Sequence, residues 1–173
     1  VSTGMWASSG TGTFLPNSNT LNAKYIPSNS DTSSGVVNLI LTSSGACPIT
    51  SSITVTITDA PLVNAGADAF VCKNNPDVTL AGMVSGGADK GKWTTTGTGT
   101  FAPSDSVFNA VYTPGTADTL AGVVKIILTS TNNGSCYAVH DTMNIFYTPA
   151  PMVFAGSDQI ICSNGTVQLA GLV

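Results

Sequence analysis

The sequence contains no glutamate and no arginine. Every acid is one of nine aspartates and every strong base one of five lysines, so only 8% of the 173 residues are charged and the net charge is −4. A chain so poor in cations lacks the Lys/Arg footprint that grips nucleic-acid phosphates, which excludes nucleic-acid partners. Histidine is nearly absent too: His140 is the only one, and the repeat described below places Thr50 at its counterpart position. That removes a repeated His-based zinc site, and no Ser-His-Asp triad recurs. The chain therefore does not read as an enzyme, and no cofactor is expected. No apolar run reaches the roughly 18 residues of a membrane span, so the chain is not expected to be membrane-inserted. Val1 opens in mid-pattern without a signal peptide, and the chain reads as a fragment.

What is present is Thr, Ser, Gly, Val and Asn, with 42% hydrophobic residues to fill a core. Strong helix formers are scarce, while β-branched and turn residues abound, which points to an all-β fold. Val36–Thr42 and Val123–Thr129 are apolar runs suited to a strand covered on both faces. Ile53, Val55 and Ile57 alternate with threonines, and Met143, Ile145 and Tyr147 repeat the pattern, giving one dry face and one wet face. Val78–Leu80 and Lys92–Thr94 are shorter strands. Gly86-Gly87, Pro114-Gly115 and Asn133-Gly134 are turn signals.

The sequence also says the same thing twice. "GMWASSGTGTFLPN" at Gly4–Asn17 returns as "GKWTTTGTGTFAPS" at Gly91–Ser104. At a shift of 87, Trp6 falls on Trp93, Phe14 on Phe101, Tyr25 on Tyr112 and Asp31 on Asp118. After a short insertion Cys47 falls on Cys136, Ala60-Pro61 on Ala150-Pro151, Asp68 on Asp158 and Cys72 on Cys162. Looking for such periods comes first in reading a repeat protein. The unit is just under ninety residues: 1–60 lacks its first strands, 61–149 is complete, and 150–173 holds the first strands of a third. The Ala-Pro joints stiffen the linkers. About seven short strands per unit, with an early central Trp, suggest an immunoglobulin-like (PKD-like) β-sandwich in tandem.

"VNAGADAFVCKNNPDVTLAG", "KWTTTGTGTFAPS", "VKIILTSTNNGSC" and "HDTMNIFYTPAP" resemble the repeats of the very large SprB-like surface adhesins of gliding Bacteroidetes. That resemblance covers the whole chain. It implies type IX secretion, display on the outer membrane at the cell surface, and a filament that serves gliding motility and attachment. The implied partners are neighbouring repeats of the same chain, external surfaces or polysaccharides, and the gliding and secretion machinery reached through other parts of the parent protein. Related units also occur in secreted enzymes of these bacteria. The rival expectation is therefore an accessory or carbohydrate-binding module of a polysaccharide-degrading enzyme.

Several residues invite a functional reading. Gly97-Thr-Gly-Thr100 looks like a phosphate loop, but Phe101-Ala-Pro103 follows in place of a Lys-Ser/Thr and a helix, so it reads as a turn or edge strand that holds Phe101 near the core. Trp6 and Trp93 read as core anchors rather than sugar platforms. Asp68, Asp118 and Asp158 could hold calcium at the joints, yet the dense acidic cluster of a calcium cage is missing. Asp105-Ser106-Val107, Asp118-Thr119-Leu120 and Asp141-Thr142-Met143 resemble the Bacteroidetes O-glycosylation acceptor, making Ser106, Thr119 and Thr142 candidates.

The four cysteines suit an oxidising exterior. Counting favours a Cys72–Cys136 disulfide within the complete unit, with Cys47 and Cys162 paired outside the chain. Geometry objects: strands of about ten residues separate the poles of a sandwich by roughly 33 Å, and a disulfide needs Cα atoms within about 7 Å. The alternative is a staple from the second cysteine of one unit to the first cysteine of the unit before it.

Overall fold

The structure, a computed structural model, describes residues 3–173. It is all-β apart from two single-turn helices, as the composition requires. The strands are β1 (Gly4–Ser8), β2 (Thr13–Leu15), β3 (Lys24–Ile26), β4 (Val36–Ser43), β5 (Thr50–Thr56), β6 (Leu62–Asn64), β7 (Ala69–Cys72), β8 (Val78–Thr79), β9 (Met83–Ser85), β10 (Lys90–Thr95), β11 (Thr100–Ala102), β12 (Val111–Thr113), β13 (Val123–Thr131) and β14 (His140–Thr148). The helices α1 (Asn29–Ser34) and α2 (Thr116–Ala121) each precede a long strand.

The chain divides into two compact units. One comprises Val1–Leu62, Val84–Asp89 and Ser130–Val139; the other comprises Val63–Met83, Lys90–Thr129 and His140–Val173. In the first unit, β1, β4 and β5 form an antiparallel sheet, and β2 pairs with β3. In the second, a four-stranded sheet runs β10-β13-β14-β7, with β7 parallel to β14, and a three-stranded sheet runs β11-β12-β8. The register repeats: Val37 faces Val55 as Val124 faces Ile145, although β5 and β14 belong to different copies of the sequence unit. The result is an immunoglobulin-like β-sandwich class of fold, with nine strands in residues 61–149 rather than about seven, because the stretch ahead of β10 breaks into the short strands β6 to β9.

The core of the second unit is built from alternate residues of each strand. Val124, Ile126 and Leu128 of β13 are buried, while Val123 and Lys125 are exposed. The expected coverage of this strand on both faces is therefore not found: β13 buries one face, and the apolar run continues on a half-wet face. Met143, Ile145 and Tyr147 of β14 turn to the same interior, as their alternation with polar residues foretells. Trp93 closes the core at 1% exposure, and its indole N–H donates to the carbonyl of Val107 at 3.0 Å.

The same positions fare differently in the first unit. Ile53 is 53% exposed where its counterpart Met143 is 4% exposed. Leu41 and Trp6 are only half-buried. In the second unit, Leu80 and Gly82 bond to the 108–110 segment and lie over the core, Gly82 against Trp93 and Leu128. Beside Leu41, the counterpart of Leu128, the first unit has instead an apolar cavity of about 240 Å³, lined by Gly4, Leu21, Leu41 and Ile49 among others.

Candidate functional site

The recurring Gly-Thr-Gly-Thr phrase assembles one polar cluster, and it does so twice. In the second unit, Pro114-Gly115 leads into α2, and Asp118 lies on that helix's first turn. Its Oδ2 accepts the N–H of Gly115 at 3.0 Å, closing the helix start on itself, and Gly122 ends the helix with φ +80°. The left-handed conformation at that end is one that glycine adopts without strain.

The carboxylate then reaches across to the Gly-Thr loop. The N–H of Thr98 donates to Oδ1 at 2.8 Å and its hydroxyl at 3.2 Å. The Tyr112 hydroxyl donates to Oδ2 at 2.7 Å and itself accepts the N–H of Gly99 at 3.3 Å. Thr95 Oγ1 bonds the same tyrosine at 3.2 Å and accepts the N–H of Gly97 at 2.9 Å. Asp118 is 4% exposed, and its bond from Tyr112 is buried while those from the loop and the helix start are part-buried. A methyl group on Gly97 would collide with Asp118 and Val124, and one on Gly99 with Tyr112. Glycine is thus required here by close approach rather than by ligand binding.

The first unit repeats the cluster almost bond for bond. Asp31 accepts from Ser28 N–H (2.9 Å), Thr11 N–H (2.9 Å) and the Tyr25 hydroxyl (2.8 Å). Ser8 stands for Thr95, and Gly12 N–H donates to Tyr25 at 3.0 Å. The one clear gain is the hydroxyl of Ser28, which caps α1 by accepting from Asp31 N–H. Backbone donation from Ser28 lowers the Asp31 pKa most; burial opposes it, and Thr11 and Tyr25 add to the lowering, leaving the pKa at about 2. Burial pushes Asp118 up, but the bonds from Tyr112, Thr98 and Gly115 outweigh it and hold the carboxyl below its ordinary range. Burial likewise raises Tyr112. The chemistry of this arrangement is a satisfied carboxylate: the two oxygens of Asp118 accept four protein donors and those of Asp31 three, and little acceptor capacity remains for a cation or a substrate.

The other candidates are dispersed. Asp68 accepts from the backbone N–H of Asn144 at 2.7 Å, fastening the chain beside β14 just before β7. Asp158 is exposed, and no group of three or more metal-ligating side chains occurs among the described residues. The structure does not gather Asp68, Asp118 and Asp158 into one site. His140 is exposed at the start of β14, opposite Thr129. Ser106 and Thr142 are exposed, while Thr119 is half-buried and its hydroxyl donates to the Thr116 carbonyl at 3.0 Å. The aspartates of two of these three motifs have structural work: Asp118 in the cluster and Asp141, which accepts from Ala65 N–H at 2.8 Å. Phe101 packs against Tyr112 in a tilted arrangement with ring centroids 5.2 Å apart, so the loop does lead a core-edge aromatic into place.

All four cysteines are free thiols, and the expected Cys72–Cys136 bond is absent. Cys72 pairs with Thr148 at the C-terminal end of β14, whereas the loop carrying Cys136 leads into that strand's other end at His140. Eight strand steps of about 3.3 Å, roughly 26 Å in all, separate those two ends of β14.

Sequence reasoning missed the two helices and with them the cluster's organising aspartate. Pro114-Gly115 was readable only as a turn, although Ser28-x-x-Asp31 is a capping-box spacing and Gly35 and Gly122 follow at the helix ends.

No known protein family matches the chain, and no curated protein matches it. Among solved structures it is similar in fold to cadherin extracellular domains. Drosophila N-cadherin EC1-4 aligns at 17% identity and TM-score 0.43 over 85% of this chain and 41% of that one. Protocadherin Gamma B7 domains 1-4 align at 14% and 0.42 over 90% and 45%, and human Protocadherin-24 EC1-2 at 9% and 0.40 over 85% and 82%. The chain spans less than half the length of the first two.

Proposed function

We propose that this chain is a segment of a long tandem array of immunoglobulin-like units, the structural and adhesive stalk of an SprB-like cell-surface filament that serves attachment and gliding. The units are residues 1–60, 61–149 and 150–173 of the sequence period. The observation that carries the reading is the doubled aspartate–tyrosine cluster. Its most distinctive recurring residues, Gly-Thr-Gly-Thr, Tyr and Asp, are consumed in holding the sandwich together, and none converges on a vacant reactive group. A chain that repeats its scaffold and not a catalytic centre is suited to reach and stiffness. The sequence resemblance supplies the adhesin class, type IX secretion and outer-membrane display.

The rival, a carbohydrate-binding module, needs an exposed aromatic platform. Trp93 does not supply one, since its ring is sealed in the core.

The test is cellular. Antibodies raised against the 173-residue chain should label intact cells of the source bacterium, and deletion of the parent gene should reduce surface attachment and spreading. Labelling only after cell lysis, or unaltered attachment and spreading in the deletion strain, would overturn the reading.

A further inference from the structure

The two units place two different cysteines beside the same threonine. In the second unit, β7 runs parallel to the end of β14, so that Cys72 pairs with Thr148 and the threonine hydroxyl approaches the Cys72 sulfur at 3.9 Å. Thr58 is the counterpart of Thr148: Ile57 N–H bonds the Gly35 carbonyl as Tyr147 N–H bonds the Gly122 carbonyl, and each threonine follows directly. In the first unit it is Cys136 whose sulfur meets this threonine, 3.3 Å from Thr58 Oγ1 and 3.6 Å from the Asp59 carbonyl, which accepts the thiol proton. Gly87 lies against the same spot, where a methyl group would strike the Asp59 carbonyl. Cys136 thus stands at the place where the preceding copy of Cys72 arrives when that copy of β7 is present.

We infer that each joint of the array carries a disulfide between the first cysteine of one repeat and the second cysteine of the next. Cys72 is therefore bonded to the following repeat's counterpart of Cys136, and Cys136 to the preceding repeat's counterpart of Cys72. The inference rests on the tandem-array reading above. The bond accounts for the four free thiols here, because no two cysteines of this chain are partners under that pairing. It also gives the cysteine pair a mechanical role, since load passes across the Ala-Pro linker through a covalent bond in parallel with the backbone. Formation removes one proton from each thiol and two electrons in total. These pass to a small-molecule disulfide, which is reduced to two thiols by exchange, in keeping with an oxidising exterior.

The test extends the full chain past Val173 with a second copy of residues 85–149, which completes the third repeat and adds one cysteine. After folding with oxidised glutathione, peptide mapping should find Cys72 joined to the added copy of Cys136, with three of five thiols free. The unextended chain treated alike should keep all four thiols free. Five free thiols in the folded extended chain, or a Cys72–Cys136 bond in either chain, would overturn the staple while leaving the cellular test of the array untouched. A second variant does not depend on the added repeat folding. T58C in the 173-residue chain should form one bond to Cys136 under the same oxidant, leaving Cys47, Cys72 and Cys162 free. A folded T58C chain with five free thiols would equally sink the proposal.

Discussion

Asp118 shows how much one side chain organises. Its oxygens satisfy donors from the Gly-Thr loop, from β12 through Tyr112, and from the start of α2. Asp118→Asn keeps the size but faces an amide group toward N–H and O–H donors, leaving at least one buried donor unmet. The expected cost is about 1–3 kcal/mol, read as a lower urea midpoint. Gly97→Ala should be destabilising by a similar few kcal/mol, since the added methyl has only Asp118 and Val124 to displace. The carboxylates also set an acid limit. Asp31 is held at about 2 against an ordinary 3.8, so the unfolded chain takes up this proton at a higher pH than the folded chain does. Its contribution is complete above the ordinary value and is lost as pH falls through the folded one. Melting temperature should therefore hold near pH 5 and drop between about pH 4 and 2, with Asp118 adding to the drop in the same direction. A flat profile across that window would contradict the bonding described.

At the scale of elements, the two tryptophans provide a comparison within one chain. β1 and β10 carry the same residue at matching positions of the repeat, yet Trp93 is sealed while Trp6 is half-buried and donates to the Leu21 carbonyl at 3.1 Å. Trp93→Ala should cost about 3–5 kcal/mol, the range for deleting a large aromatic from a packed core. Trp6→Ala should cost less, because part of its surface is already in water. Chemical denaturation of both variants, followed by circular dichroism, checks the order. The strands themselves were legible: Val123–Thr129 lies within β13 and Lys92–Thr94 within β10. Their strength comes from β-branched residues in alternation, a local property. The helices were not legible, because six-residue segments this short carry no apolar period, and only the docking of Asp31 or Asp118 onto the distant Gly-Thr loop rewards the turn.

For the molecule as a whole, the informative contrast is between equal sequences with unequal surroundings. Leu80 and Gly82 cover Trp93 and Leu128 in the second unit, while the cavity beside Leu21 and Leu41 marks the corresponding place in the first. Adding a copy of residues 61–87 ahead of Val1 should fill that place. The expected outcome is a higher melting temperature for the first unit and weaker binding of a hydrophobic dye, with Ile53 and Leu41 newly protected. No change in either would mean that the exposed face is not a seat for those strands. For the same reason, a peptide of residues 1–60 should not fold cooperatively as a monomer, since it shows an apolar face and unpaired strand edges to water.

The sequence alone determined the all-β class, the period just under ninety residues, the positions of the long strands and the structural nature of Gly-Thr-Gly-Thr. All of these follow from local propensity or from comparing the chain with itself. It could not say that β13 buries one face only, that Trp6 is half-wet, or that one aspartate joins three segments. Nor could it say that Cys136 lies by Thr58 while Cys72 lies by Thr148. Each of these depends on residues brought together from tens of positions apart. Burial and hydrogen-bond satisfaction belong to the assembled layers, and two similar stretches acquire different energies when different neighbours cover them.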